Sequence, residues 1–541
     1  MSIKSLIQSK IAGKQWDFIA ALAGLILWSV LLAGVFFSTQ PTVGLYFDNQ
    51  VTYFLQGLRL SGQNPWLEAD WFSQTRSLHI AFTLLVAGLD RLNILPQAMH
   101  LLDILFRLVF LASLGLMTNA LLRLADRHWA ERSPLLRASL VLSVISVYVL
   151  SLWPVYQLST FFEKIGISSL ALAAEHFGFY YSFGGFSAFR YYPEPASFSM
   201  LIFTALALIP YKRWRWSAAL LGIAGLFHAS FLIHSGFLAG LIALYLWIRG
   251  KRKEALSAAG IYAVLVLPLV IYILTQMTDP QTAAANLILA TERVPHHTQP
   301  VRWWDTTDWW HLGIILVSTA LLAWKDRGLL RWAMGLTTLY VGLGIGLVIW
   351  TGNPNLAIMM PWRASGYLYN IAQLVILSAG LFLLFSLLKR WPKAAVLVLS
   401  AIPLALLIWS AAQHGLYTVM IDRYQNTSTQ PDYPFMKMIQ AQTPEDAILL
   451  VPLKESDYRL GAQRAIYVDW KSHPYRGSEV LEWWDRVTFV QDFYALSGPE
   501  RQIACQTAGV DYYVLEAAAL DKSEPVTLSW GDWRLIPCPD P

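Results

Sequence analysis

Long apolar runs alternate with short, mostly basic polar segments along the first 412 residues. A helix needs roughly 20 apolar residues to cross a ~30 Å hydrocarbon layer, or fewer where neighbouring protein thins the path. The shorter runs 217–229 and 231–248 are predicted to form a hairpin around Phe227-His228-Ala229-Ser230 and His234. With the hairpin, the pattern predicts about 11 transmembrane helices. The other predicted spans are 17–37, 99–122, 135–157, 196–210, 255–276, 310–324, 331–350, 367–388 and 394–412.

The stretch 78–95 decides the predicted topology, because it carries Asp90 and Arg91 within an otherwise apolar run. If it lies half-embedded on the outer side, six short basic segments fall in the cytoplasm, and together they hold half of the 40 lysines and arginines. The positive-inside rule favours this arrangement, with the amino terminus inside and the carboxyl terminus outside. No cleavable signal peptide is expected. The basic segments are 4–14, 123–137, 212–215, 249–253, 325–331 and 389–393.

This orientation divides the chain into a transmembrane module, 1–412, and an extracytoplasmic tail, 413–541. The outer face of the module carries outer loop 1 (38–97), outer loop 2 (158–195) and outer loop 3 (277–309). Loops held by a rigid scaffold commonly carry function. The chemistry is therefore expected on this face.

The tail is predicted to be a small α/β domain. Short apolar runs at 447–452, 465–468 and 511–515 are typical of buried strands. Residues 478–493 fit an amphipathic helix with Ser478 as its N-cap. The only two cysteines of the chain, Cys505 and Cys538, lie in this domain. An oxidising outer face favours their pairing.

Composition agrees with a multi-pass membrane protein. Apolar residues make up 56% of the chain, charged residues 14%, and the mean hydropathy is +0.44. The net charge of +5 is a topology signal here, so no nucleic-acid partner is expected. The sequence has no phosphate-binding glycine-rich loop, no cysteine-pair zinc spacing and no serine elbow. These absences argue against an ATP-driven transporter and against a soluble-type hydrolase.

Asp48 opens the amphipathic stretch 46–55 soon after the first apolar run. A carboxylate at the mouth of a membrane bundle is a candidate for chemistry on a lipid-linked substrate, and burial would raise its pKa. Asp is also a favoured N-cap residue, and a helix is expected over 49–61. The two roles are compatible.

Cations cluster on the predicted outer side. Arg293, His296 and His297 lie within five residues of each other, and Arg363 precedes another span. Guanidinium groups match phosphate oxygens, so these residues are candidates for a lipid phosphate. An ordinary loop and a metal site at the two histidines remain open alternatives.

Other polar residues fall within or between the spans. His228 and His234 lie in the short hairpin, where they fit either a functional role or packing. Asp103 and Arg107 are four residues apart, on one face of a predicted helix, and are expected to pair. We interpret this pair as structural.

The order of parts resembles the GT-C superfamily of integral membrane glycosyltransferases, within it a little-characterised bacterial branch. One span is followed by a long outer loop opening with an acid, then many short-looped spans, then an outer tail domain. The local matches cover nearly the whole chain. They are Asp48 with Tyr53, Asn64-Pro65, Asp70-Trp71-Phe72, Arg293-Val294-Pro295-His296-His297, Arg363 in Pro361-Trp362-Arg363, Tyr467-Val468-Asp469-Trp470-Lys471, Glu482-Trp483 and Arg486.

This resemblance implies a polytopic, mainly α-helical fold and an inverting transfer of a sugar from a polyprenyl-phosphate donor. The acceptor would be a glycan, lipid or protein at the outer face of the cytoplasmic membrane. Asp48 would be the general base, directly or through a divalent metal such as Mg or Mn. The expected substrate-binding residues are Tyr53, Asp70, Arg293, His296, His297 and Arg363.

The sequence departs from the better-studied branches, because Asp48 is followed by the neutral Asn49 and not by a second acid. Glu194 is the preferred second carboxylate, with Asp70, Glu163 and Glu175 as other candidates. A solvated loop acid is the alternative interpretation of Glu194. The rival functions are a flippase or transporter of a lipid-linked glycan and a non-catalytic scaffold for envelope assembly.

Overall fold

The computed structural model describes most of the chain and is mainly helical, 74%. Asp48, the predicted span 17–37 and nearly all of the predicted span 394–412 lie outside the described residues. The described residues are 49–151, 157–178, 181–188, 192–326, 328–387, 402–403, 405, 428 and 430–539.

The helical part begins with outer loop 1 and continues through a bundle with one extensive apolar core. Short 3-10 or π turns, among them Pro195–Phe198, Leu289–Arg293 and Pro361–Ala364, interrupt the α-helices. The α-helices are α1 (Gln50–Tyr53), α2 (Leu55–Ser61), α3 (Trp71–Gln74), α4 (Ile80–Arg91), α5 (Leu95–Ala125), α6 (Pro134–Ser151), α7 (Gln157–Lys164), α8 (Ser168–Gly178), α9 (Ser199–Leu208), α10 (Trp214–Phe227), α11 (Ala229–Ile248), α12 (Arg252–Tyr272), α13 (Thr282–Ile288), α14 (Pro295–Thr298), α15 (Pro300–Trp303), α16 (Thr306–Lys325), α17 (Leu329–Thr351), α18 (Pro354–Met359) and α19 (Ser365–Leu387).

Six helical segments in the described part of the chain are long and apolar enough to cross a membrane. They coincide with predicted spans, and the shorter apolar segment Pro195–Tyr211 coincides with a seventh. This pattern is compatible with a multi-pass membrane protein. The six segments are Leu95–Ala125, Pro134–Ser151, Ala229–Ile248, Arg252–Met277, Leu329–Thr351 and Pro354–Leu387.

The stretch 78–95 contains only one short helix, α4, of 12 residues. At 1.5 Å per residue it is about 18 Å long, well short of a ~30 Å layer. In α4, Val86 packs against Gly57 of α2 and Phe82 packs against Phe54, and both side chains are fully buried. The described part of outer loop 1 therefore shares the core of the bundle. α4 is too short to be a full span.

The predicted hairpin is confirmed in outline. α10 ends at Phe227 and α11 begins at Ala229, with His228 as the single extended residue between them. Inside α5, Arg107 Nη2 lies 2.8 Å from Asp103 Oδ2, so the predicted pair is also confirmed.

The tail folds as a mixed five-stranded sheet with helices on its faces. The strand order is β2-β1-β3-β5-β4; β1 pairs in parallel with β2 and β3, and β5 pairs antiparallel with β3 and β4. Cys505 and Cys538 form a disulfide, as the sequence indicated. The elements are α20 (Tyr433–Gln442), β1 (Ile448–Leu450), α21 (Tyr458–Gly461), β2 (Ala465–Ile466), α22 (Gly477–Phe493), α23 (Gly498–Ala508), β3 (Tyr512–Glu516), β4 (Leu528–Trp530) and β5 (Trp533–Pro537).

The N-terminal end of α22 packs closely on outer loop 3. Any side chain at Gly477 would fall 2.7 Å from the Thr282 backbone nitrogen, so glycine permits the close approach. Ser478 was predicted to be the N-cap of this helix, which is wrong. The N-cap is Arg476, and the Ser478 hydroxyl donates a hydrogen bond to Asp279 Oδ2 at 2.7 Å.

Candidate functional site

A buried ion-pair cluster joins outer loop 1 to the tail. Arg459 Nε donates to Asp70 Oδ2 at 2.6 Å, and Arg459 Nη1 donates to Asp469 Oδ2 at 2.5 Å. All three side chains are fully buried. Asp70 also caps α3 by accepting the Ser73 N–H at 2.8 Å. Through Arg459, Asp70 links outer loop 1 to the tail. Substrate binding by Asp70 stays a prediction.

A cavity of about 50 Å³ lies beside this cluster, between α1, α2 and the tail segment 471–475. It has room for several water-sized groups. Two cations, Arg293 and Lys471, line it, and its described lining includes no carboxylate. The site therefore favours an anion. The lining residues are Asn49, Thr52, Tyr53, Gln56, Phe72, Ser77, Leu78, His79, Arg293, Lys471, His473 and Tyr475.

Arg293 is the cation with unused hydrogen-bonding capacity. It ends the π turn Leu289–Arg293, and its Nη2 donates to the Lys471 carbonyl at 3.1 Å. Its Nε is buried and has no hydrogen-bond partner among the described residues. Burial lowers the pKa of Arg293, while Tyr475 and Asp469 act in the opposite direction. Because a buried N–H group without an acceptor is costly, a bound anion would stabilise this side chain.

Two histidines line the same cavity as neutral groups. Burial lowers the pKa of His79 to about 3, and the Arg363 charge adds to the effect. Burial likewise lowers the pKa of His473 to about 3, with a second contribution from Arg293. At neutral pH both imidazoles therefore offer hydrogen bonds without adding positive charge.

We expect the neutral His79 to make stability fall in acid. Its pKa is about 3 when folded and 6.5 when unfolded, so the unfolded chain binds the extra proton between these values. Stability is full above pH 6.5 and falls by about 1.4 kcal/mol per pH unit as the pH drops toward 3. Denaturant unfolding in micelles at a series of pH values gives the free energy of unfolding. For His79→Gln this free energy should depend less steeply on pH than for the parent protein. His128 is exposed, so His128→Gln is the control and should behave like the parent. The same pH dependence of the unfolding free energy in the parent and in both variants would contradict this account.

A second polar group adjoins the cavity at the turn between α10 and α11. Arg363 Nη1 lies 3.3 Å from His228 Nε2 and donates to the Ser230 hydroxyl. The His228 and His79 rings are 4.3 Å apart, which connects this group to the cavity wall. The Arg363 guanidinium also stacks 4.4 Å from the centre of the Phe186 ring.

The turn that carries Arg363 is held close against α17. A side chain at Gly344 would overlap Pro361, so glycine at this position lets the turn Pro361–Ala364 reach the helix. The Trp362 indole N–H donates to the His297 carbonyl at 2.8 Å, which fixes the other side of the turn. Arg363 is therefore positioned by packing on both sides.

Glu194 is fully buried, so its interpretation as a solvated loop acid is wrong. It precedes the turn Pro195–Phe198, and the Ser197 hydroxyl accepts its backbone N–H at 3.1 Å. The Gln50 side chain donates to the Pro193 carbonyl at 2.9 Å, which ties this segment to α1. The Glu194 charge also acts on Tyr475 in the cavity wall. Glu194 thus lies near the site, and its catalytic role stays a prediction.

Of the remaining predicted site residues, Tyr53 lines the cavity, whereas His297 contacts the backbone of outer loop 2. Tyr53 lines the cavity, shares a hydrogen bond with Tyr475 and packs edge-on to His79. His297 Nδ1 lies 2.7 Å from the Gly184 carbonyl, so it supports outer loop 2. The His296 side chain is exposed, and its pKa is lowered by partial desolvation and then by Arg293. No group of three or more metal-ligating side chains is found within the part of the chain described.

The sequence analysis did not single out several wall residues, among them His79, His473 and Tyr475. His79 and His473 are 394 positions apart, and no spacing rule connects them. The one available signal was the position of His473 and Tyr475 just after the Tyr467-Val468-Asp469-Trp470-Lys471 motif.

One comparison with known proteins bears on the tail. No curated protein matches the chain. Residues 431–490 match a family model described as Domain of unknown function (DUF6798). The matched segment contains Arg459, Asp469, Lys471, His473 and Tyr475. The chain is therefore similar to that family over the segment that supplies the tail's share of the ion-pair cluster and of the cavity wall.

Proposed function

We propose that the protein is a membrane glycosyltransferase. It moves a sugar from a polyprenyl-phosphate donor to an acceptor at the outer face of the cytoplasmic membrane. The observation that carries the proposal is the cation-lined cavity between outer loop 1 and the tail. In its wall, Arg293 Nε has no hydrogen-bond partner among the residues that the structure describes. Asn49 lines this cavity, and Asp48 is its immediate neighbour in the sequence.

In the proposed reaction, Asp48 takes the proton of the acceptor hydroxyl while the acceptor oxygen attacks the anomeric carbon of the sugar. The bond between that carbon and the phosphate oxygen breaks, with inversion, and its electron pair stays on the lipid phosphate. Arg293 and Lys471 stabilise the charge that develops on this leaving group. The neutral His79 and His473 supply hydrogen bonds to the same anion.

A lipid-linked donor also needs an apolar path beside the anion site. A groove of about 400 Å³ between α16 and α17 is lined largely by apolar and aromatic side chains, including Phe183 and Trp304. The two rings stack 5.1 Å apart, and Phe183 adjoins Gly184, whose carbonyl contacts His297. The groove therefore starts next to the residues that support Arg363, which supports a lipid substrate.

The proposed orientation follows the charge distribution. The cavity lies at the end of the bundle opposite the basic turns that join α5 to α6, α9 to α10, α11 to α12 and α16 to α17. Under the positive-inside rule those turns face the cytoplasm, and the cavity, outer loops and tail face outward. The disulfide in the tail agrees with an oxidising compartment.

Replacing Arg293 tests the phosphate contact. We expect Arg293→Ala to raise the KM for the polyprenyl-phosphate sugar by about 10- to 100-fold, the effect of losing a charged hydrogen bond. The maximal rate should fall less, because acceptor activation is left intact. Steady-state transfer assays with the protein in nanodiscs provide the measurement, and the exposed Arg302→Ala is the matched control. An unchanged donor dependence would refute phosphate binding by Arg293.

A further inference from the structure

A second, larger cavity of about 570 Å³ lies at the other end of the bundle. α9 starts beside Glu194 and ends just before Tyr211, which lines this cavity. α11 starts at the His228 turn and passes Tyr245, another lining residue, near its end. A 20-residue helix is about 30 Å long. The two cavities are thus separated by about the thickness of a hydrocarbon layer.

The lining of the second cavity combines cations, aromatic rings and apolar side chains. Arg123 and Lys212 supply the positive charge, and Tyr211, Trp214 and Tyr245 the rings. Neither cation has an ion-pair partner among the described residues. Aromatic and basic side chains together are characteristic of the level of the lipid headgroups.

The wall is fixed before any ligand binds. Asn119 Nδ2 donates to the Tyr211 hydroxyl at 2.8 Å, and that hydroxyl donates to the Leu116 carbonyl at 2.9 Å. The Trp129 indole N–H in turn donates to Asn119 Oδ1 at 3.1 Å. Tyr211 is therefore held at both sides, next to Arg123, whose charge acts on it.

Lys212 has an unusual backbone conformation. It ends the turn Ile209–Tyr211 with φ +57°, in the left-handed region that glycine or asparagine normally occupies at such an end. A lysine there is strained by about 1 kcal/mol or more, and strain of this kind concentrates at functional sites. The conformation keeps an exposed ammonium group at the cavity rim.

The one acid in the described lining is already engaged. Asp326 is buried, and its carboxylate accepts the backbone N–H groups of Gly328 at 2.7 Å and Arg331 at 3.1 Å. These two hydrogen bonds stabilise the turn between α16 and α17. Within the described lining, no acid is therefore left to neutralise the cations at the rim, and they can attract an anion from outside the protein.

We propose that this cavity binds the phosphate headgroup of an anionic phospholipid from the leaflet at the basic end of the bundle. Arg123 and Lys212 bind the phosphate, and the rings of Trp214 and Tyr245 flank the glycerol region. The acyl chains lie against the apolar wall that Leu124, Leu329 and Leu330 help to form. Basic pockets between membrane helices recognise headgroups in this way. The site acts independently of the proposed sugar transfer.

The test compares the effects of different lipids on the apparent Tm of the purified full chain in an uncharged detergent. Phosphatidylglycerol should raise the apparent Tm of the parent protein, whereas phosphatidylcholine and inorganic phosphate should not. In the double variant Arg123→Gln with Lys212→Gln, the phosphatidylglycerol concentration that gives half of the maximal Tm shift should rise about 30-fold. The matched control, Arg127→Gln with Lys253→Gln, removes two exposed charges from the same end outside the cavity and should respond like the parent.

Three results would overturn the proposal. One is a double variant that responds to phosphatidylglycerol like the parent; another is a control variant that loses the response equally, since both indicate general charge attraction. A full shift with inorganic phosphate alone would identify a free anion as the ligand. If the double variant does not fold, Lys212→Gln alone serves, because its side chain is exposed, and about a 5-fold rise is then expected.

Discussion

Asp48→Asn should abolish sugar transfer, lowering the maximal rate by about 10²- to 10⁴-fold, the usual contribution of a general base. Asparagine keeps the size of the side chain and its capacity to cap a helix, so the protein should still fold and insert. In the proposed reaction, the lost carboxylate is the group that accepts the proton of the acceptor hydroxyl. The effect should therefore appear in the maximal rate more than in the KM for the donor.

The control for this variant is Glu68→Gln, which removes an exposed acid from the same outer loop. Glu68 is exposed and pairs with Arg59 at the surface. Because such a pair contributes little, removing the Glu68 charge should leave sugar transfer unchanged. Transfer by purified Asp48→Asn at the parent rate would show that Asp48 is a helix cap only.

Arg459→Ala should give the largest loss of stability. It leaves the carboxylates of Asp70 and Asp469 buried without their shared cation, which costs about 3–5 kcal/mol. Because the cluster joins outer loop 1 to the tail, the tail should separate from the loop before the bundle unfolds. Protease cleavage of the tail and thermal unfolding in micelles would both report this separation.

Arg59→Ala is the matched control for Arg459→Ala, because it breaks an exposed pair in the same loop. That pair is worth about 1 kcal/mol at most. If Arg459→Ala protects the tail from protease as well as the parent does, the cluster is not what holds the two parts together.

The sequence predicted the helices where the apolar pattern is long and unbroken. α5, α12 and α17 follow their predicted spans closely, because burial in lipid or protein requires continuous apolar residues over that length. The same pattern correctly placed the hairpin at His228. The strands β4 and β5 were not predicted, since Leu528–Trp530 and Trp533–Pro537 are short and mixed in polarity.

The site was predictable only in part, for physical reasons. Arg293 was identified by its residue type and position and Tyr53 by the resemblance to GT-C enzymes, and both line the cavity. For Glu194 the sequence left two interpretations open, a second catalytic carboxylate and a solvated loop acid, because the sequence of a loop does not show what packs over it. Asp70 carried the right chemistry for a substrate contact, but its partner Arg459 is 389 residues away and only the fold brings them together.

We propose above all that the cavity lined by Asn49 and Arg293 holds a lipid phosphate. The most direct measurement is a cryo-electron microscopy map of the protein in nanodiscs with a polyprenyl phosphate. The account predicts density for the phosphate within hydrogen-bonding distance of Arg293 Nε, with the lipid chain running toward the groove between α16 and α17. A phosphate bound elsewhere in the bundle, with the Arg293 cavity occupied by water alone, would contradict it.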